Sequence, residues 1–125
     1  MSTATAVSAT RIGSDELTRI VAPDAKPISQ NGVSIPTRDY QAWVNGDGSI
    51  ETGIWECDTG VFRARFEHHG EMIYIVQGEM VCTPDSGEPF TLSEGDSCTF
   101  PKGWAGAWDV KRPIRKLYTV WTNES

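Results

Sequence analysis

From residue 41 onward the chain is built of short runs in which apolar and polar residues alternate, cut by Gly, Pro, Asn and Asp. Val61 to Glu67 is the clearest run. Phe62, Ala64 and Phe66 fall on one face, and Arg63, Arg65 and Glu67 on the other. Ile50 to Cys57 divides the same way, with Ile50, Thr52 and Ile54 opposite Glu51, Gly53 and Trp55. Met72 to Gln77 is apolar enough to be buried on both faces. Met80–Thr83, Phe90–Leu92, Ser97–Phe100, Ala105–Val110 and Arg115–Trp121 bring the set to about eight strands, spaced by roughly ten residues. Asn45-Gly46-Asp47-Gly48, Asp58-Thr59-Gly60, His68-His69-Gly70 and Pro84-Asp85-Ser86-Gly87 supply turns. The basic run Lys111-Arg112-Pro113-Ile114-Arg115-Lys116 is expected as one more turn, exposed to solvent. With no long helical pattern, the chain predicts an all-β sandwich or barrel.

Upstream the pattern is weaker. Residues 1–13 are rich in Ser, Thr and Ala and predict a mobile tail. Ser14 is placed to cap a short helix carrying Leu17, Ile20 and Val21, which ends before Pro23; an irregular arm across the barrel is the alternative. Pro23, Pro27 and Pro36 mark residues 22–40 as an extended connector. The expected division is a tail and connector over 1–40 and one domain over 41–125.

Composition narrows the partners. Eleven Lys and Arg against seventeen Asp and Glu leave a formal net charge of −6, the wrong sign for nucleic acid or an anionic membrane. No apolar stretch approaches the ~20 residues that span a bilayer. Residues 1–10 lack the apolar core of a secretion signal, and Cys57, Cys82 and Cys98 cannot all pair in one chain. Reduced thiols in a cytoplasmic protein are the expectation.

Two segments carry a resemblance. Glu71 is followed after six residues by Gly78, and Gly95 after five by Pro101-Lys102-Gly103. With Trp55-Glu56-Cys57, Trp104, Gly106-Ala107-Trp108 and Arg115-Lys116-Leu117-Tyr118, the stretch from Trp55 to Tyr118 resembles a small-cupin family. That group is related to the cupin domains of (S)-ureidoglycine aminohydrolase and of the ethanolamine-utilisation cupin. The resemblance implies a cupin jelly-roll β-barrel (a double-stranded β-helix of the RmlC-like kind), here with an extended N-terminal arm.

It also implies a place for a divalent transition metal, held in metal-binding cupins by three His and one Glu. Glu71 takes the glutamate position. The paired histidine positions fall on Arg65 and Glu67 in one register and on Ala64 and Phe66 in the other; the last falls on Gly106. Alternation favours Ala64 and Phe66 as the inward pair. No register restores the set, so no metal is favoured. In a turn, Glu67, His69 and Glu71 are the alternative ligands for a divalent metal. Otherwise His68 and His69 belong to a solvated rim loop.

Phe66, Glu71, Trp108 and Tyr118 are the candidate ligand-binding residues of the barrel pocket. Trp108 offers a planar wall, Tyr118 a polar tip, and Glu71 a hydrogen-bonding or acid/base group. Tyr74 is out of phase with Glu71, and Trp43, Trp104 and Trp121 are less specific. Arg63 and Arg65 are expected on the outer face. Catalytic residues are not assigned. The expected function is a small-molecule-binding cupin without the usual His-based metal site, forming a homodimer. The alternatives are a metal-dependent enzyme on a ureido or amide compound, and a non-catalytic dimer subunit.

Overall fold

The structure is a computed structural model that describes residues 7–122. It contains one short helix, α1 (Glu16–Arg19), and eight strands: β1 (Asp24–Gln30), β2 (Val33–Val44), β3 (Ile50–Cys57), β4 (Gly60–Arg65), β5 (Gly70–Pro84), β6 (Phe90–Ser93), β7 (Ser97–Phe100) and β8 (Ala105–Trp121). Every pairing is antiparallel.

The two long strands organise the molecule. The first half of β5 pairs with β7 and with the end of β8; its second half pairs with β6 and with the start of β8. β8 in turn carries β4 along its first half and β3 along its second. Beyond β3 lie β2 and then β1. One layer is therefore β1-β2-β3-β8-β5-β7 and the facing layer is β4-β8-β5-β6, the arrangement of a jelly roll. The bend between layers is made where the β5 register slips between Ile75 and Met80. Gly78 sits at this bulge with φ +103, and a Cβ there would lie 2.2 Å from the Pro113 carbonyl oxygen. Pro113 occupies the β8 side of the corner, where no ladder donor is needed.

Between the layers Phe62, Phe66, Phe100 and Trp108 form an aromatic cluster, with the Phe66 and Phe100 rings stacked 5.4 Å apart. Ile73, Ile75, Met80, Val110 and Ile114 fill the rest of the core. Cys57 and Cys82 are free and buried, and Cys98 is free and half-buried. Burial pushes the Cys57 thiol up to about 11 and the Cys82 thiol up to about 12.

Several expectations change. Residues 22–40 are extended, as their prolines suggest, but they are ladder-bonded as β1 and most of β2 rather than a free connector. The predicted turn over 111–116 is a continuous part of β8. Lys111 and Arg112 are exposed there, whereas Arg115 and Lys116 are buried. Both are covered because β8 is flanked on its two sides: Lys116 faces the interior and Arg115 faces the N-terminal segment. The N-cap of the helix is Asp15 rather than Ser14, and it makes no side-chain capping hydrogen bond. The Gly13 carbonyl accepts from the Glu16 and Leu17 amides. Arg115 then ties this segment to the barrel, donating to the Leu17 and Ile20 carbonyls and pairing with Glu56 at 3.2 Å. The tail expected over residues 1–13 lies partly outside the described residues.

Candidate functional site

The two layers diverge near the β4–β5 connection and leave a cavity of about 270 Å³. β2 contributes Asp39; β3 contributes Glu51 and Trp55; β5 contributes Glu71; β8 contributes Lys116, Tyr118 and Val120 from its second half. Phe62, Ala64 and Trp108 close it from the facing layer, and Arg65, Phe66 and His69 lie around the β4–β5 connection. Strand parity explains the set. Residues 51 and 55 of β3, and 108, 116, 118 and 120 of β8, occupy alternate positions and so share the inner face.

The strongest polar feature is an ion pair. Lys116 Nζ lies 2.8 Å from Glu71 Oε2, and both side chains are at most one-tenth exposed. The ammonium also lies over two rings, 4.5 Å from the Trp55 centroid and 4.9 Å from that of Trp108. A counter-charge and two π-faces together offset the cost of holding a cation away from water. The Trp108 indole N–H is buried and has no hydrogen-bond partner among the described residues.

A second polar group lies alongside. The Tyr118 hydroxyl donates to Asp39 Oδ1 at 2.7 Å and has Glu51 Oε2 at 3.4 Å. Gly53 makes room for it, since a Cβ there would stand 2.6 Å from the hydroxyl and 2.2 Å from the Tyr40 carbonyl. Burial raises the Asp39 carboxyl above its ordinary 3.8, opposed by the Tyr118 hydrogen bond. Burial and the neighbouring carboxylates raise the Tyr118 phenol as well, so the hydroxyl keeps its proton. Neither Asp39 nor Glu51 forms an ion pair among the described residues; Glu51 accepts instead from Gln41 Nε2 at 2.6 Å.

Phe66, Glu71, Trp108 and Tyr118 all line this one cavity. Glu67, His69 and Glu71 do not converge. Glu67 points outward, 3.8 Å from the 90% exposed His68, while His69 packs its ring 5.1 Å from Phe66. Among the described residues no three His, Cys, Asp or Glu are placed to hold a metal ion. The cupin metal positions do not fit one either. Ala64 and Phe66 take inward positions without donor atoms. A Cβ on Gly106 would lie 2.4 Å from the Thr83 carbonyl, so no side chain is accommodated there. Glu71, the one remaining ligand, is already engaged by an ammonium. Arg63 is outward as expected, pairing with Asp85 at 2.7 Å, but Arg65 reaches the cavity mouth.

Pattern reading missed Asp39, Glu51, Trp55 and Lys116. Lys116 shares parity with Trp108 and Tyr118 and would have emerged had β8 been read as unbroken. Asp39 fell in the supposed connector. Glu51 and Trp55 were on the correct shared face, but Ile54, on the opposite face, is also fully buried, which obscured which side was interior.

Comparison with known proteins agrees with the topology. No curated protein matches the chain in sequence. The protein resembles the EutQ protein of Clostridium difficile (TM-score 0.70, 17% identity), covering 88% of this chain and 86% of that one. It also resembles a DUF861-family protein of unknown function from Pseudomonas syringae pv. tomato (TM-score 0.73, 17% identity), covering 82% of this chain. The match spans only 45% of that longer protein. Ectoine synthase from P. lautus is a third structural neighbour, with TM-score 0.63, 14% identity, 94% of this chain and 78% of that one. At these identities the likeness concerns the fold. The EutQ-like cupin domain profile matches residues 44–118, and the chain belongs to that family.

Proposed function

We propose that the protein binds a small polar molecule in the cavity between its two layers, without a metal ion of the His-based cupin kind. The observation that carries this reading is the Lys116–Glu71 pair: a buried cation occupies the carboxylate that a cupin metal would need. The surrounding cavity combines apolar walls with a few convergent polar groups, the usual make-up of a ligand site. A metal-dependent enzyme acting on a ureido or amide compound is the less favoured reading, because Ala64, Phe66 and Gly106 supply no ligands. Screening small polar compounds by thermal shift, with and without a chelator, tests the proposal. Ligand-induced stabilisation that survives chelation supports it; stabilisation that requires an added divalent metal contradicts it.

Homodimerisation and a cytoplasmic location belong to the same proposal. Trp43, Val44, Ile50, Met72 and Tyr74 are exposed apolar side chains that a second copy would cover. Light scattering after size exclusion would reveal a dimer or a monomer. No helix among the described residues is long and apolar enough to cross a membrane.

A further inference from the structure

We propose that Lys116 is a resident cation standing in for a metal, and that it receives the acceptor oxygen of a neutral ligand. This rests on the cavity being a binding site and adds the polarity of what it binds. Lys116 carries three N–H bonds, and Glu71 is its one hydrogen-bond acceptor among the described residues. Lys116 lines the cavity, and its ammonium lies over the rings of Trp55 and Trp108 that form part of the walls. Trp108 adds a second buried donor, with no partner among the described residues. Buried donors with unmet capacity gain from an acceptor, because leaving them unpaired is costly.

The charge inventory selects a neutral acceptor over an anionic one. Asp39, Glu51 and Glu71 line the same cavity, and Lys116 balances one of them. Arg65 reaches the mouth but is 61% exposed and therefore screened by solvent. A ligand carboxylate would add a fourth negative group at short range. A neutral carbonyl meets the ammonium without that repulsion, and N–H groups elsewhere on the same molecule suit Asp39 and Glu51. An organic cation fits the acidic side but meets Lys116 itself at the aromatic wall.

The test uses three probes of similar size: 2-pyrrolidinone, propionate and propylammonium. Binding is followed through the indole N–H signals of Trp55 and Trp108 in nitrogen-15 spectra of the full chain. The lactam is expected to shift both signals saturably and more tightly than either charged probe. Because Lys116→Met leaves Glu71 buried and unpaired, the double variant Lys116→Met/Glu71→Gln serves as the folded control. It should keep a dispersed spectrum and bind the lactam roughly tenfold more weakly or worse, the loss of a charged hydrogen bond. Tighter binding of propionate or propylammonium, or unchanged lactam binding in the double variant, overturns the inference while leaving the cavity as a binding site. If none of the probes moves either indole signal, the binding-site reading falls with it. Saturable broadening of these signals by manganese ions would show that a metal displaces the ammonium, and would also overturn the inference.

Discussion

Lys116, Glu71 and Asp39 in the cavity, and Gly53 behind it, have roles that substitution can separate. Lys116→Met strands the Glu71 carboxylate in a buried position and is expected to cost about 3–5 kcal/mol in urea unfolding. Adding Glu71→Gln should recover much of that loss, since the uncompensated charge then disappears; additive losses would show that the pair is not coupled. Asp39→Asn acts through ionisation. The folded-state pKa of Asp39 is raised, so its charged form costs stability at neutral pH, and that cost is relieved as pH falls through the raised value. Asparagine keeps an acceptor for Tyr118 and removes the charge. The variant should be more stable than the parent at pH 7, with the difference shrinking as pH falls through the raised value and gone only below the ordinary carboxylate range, at about pH 3. Gly53→Ala drives a methyl against the Tyr40 carbonyl and the Tyr118 hydroxyl, and should cost about 1–3 kcal/mol with a displaced phenol ring. At this scale the inward Phe62, Ala64 and Phe66 were legible because the β4 segment alternates cleanly, and Glu71 because the cupin-like spacing to Gly78 marks it. Lys116 was not, because a cluster of like charges is ordinarily a solvated surface, and only its flanking rings and carboxylate make it an interior residue.

Among elements, the strands from Ile50 onward were read well, β1 and β2 were missed, and strand continuity was read poorly. Gly78 and Pro113 are ordinary signs of a chain reversal, yet here they face each other across one corner of two continuous strands. A residue pattern records the local break; only the pairing of β5 with β8 shows that the ladder resumes beyond it. The corner is braced by Glu94, which accepts from the Gly78 amide at 2.8 Å and pairs with Arg112 at 3.0 Å. Arg112 and that amide hold the Glu94 carboxyl down at about 2, against an ordinary 4.5. Its contribution is therefore complete above about pH 4.5 and is lost as acid approaches pH 2. Glu94→Gln should flatten the acid limb of the stability profile over that window, with its loss seen at neutral pH and vanishing as pH approaches 2. The N-terminal segment is a separate attachment. Arg115→Met removes the donors to the Leu17 and Ile20 carbonyls. Faster hydrogen exchange and trypsin cleavage at Arg19, with the barrel strands still protected, is the expected outcome; equal protection of the segment would show that other contacts hold it.

Over the whole molecule, the jelly roll was foreshadowed by many short β-rich runs with turns between them, and by the glycines and proline of the two cupin-like segments. The site's electrostatics were less accessible, because Asp39, Glu51, Glu71, Lys116 and Tyr118 come from β2, β3, β5 and β8 and meet only after the layers close. That same closure shapes how the protein comes apart. β5 and β8 thread through both layers, so neither layer can melt while the other keeps its pairing partners. Unfolding should be all-or-none, with calorimetric and van't Hoff enthalpies in agreement. Any excision within either shared strand then abolishes the barrel and the cavity together, and no fragment that lacks part of β5 or β8 holds the pocket.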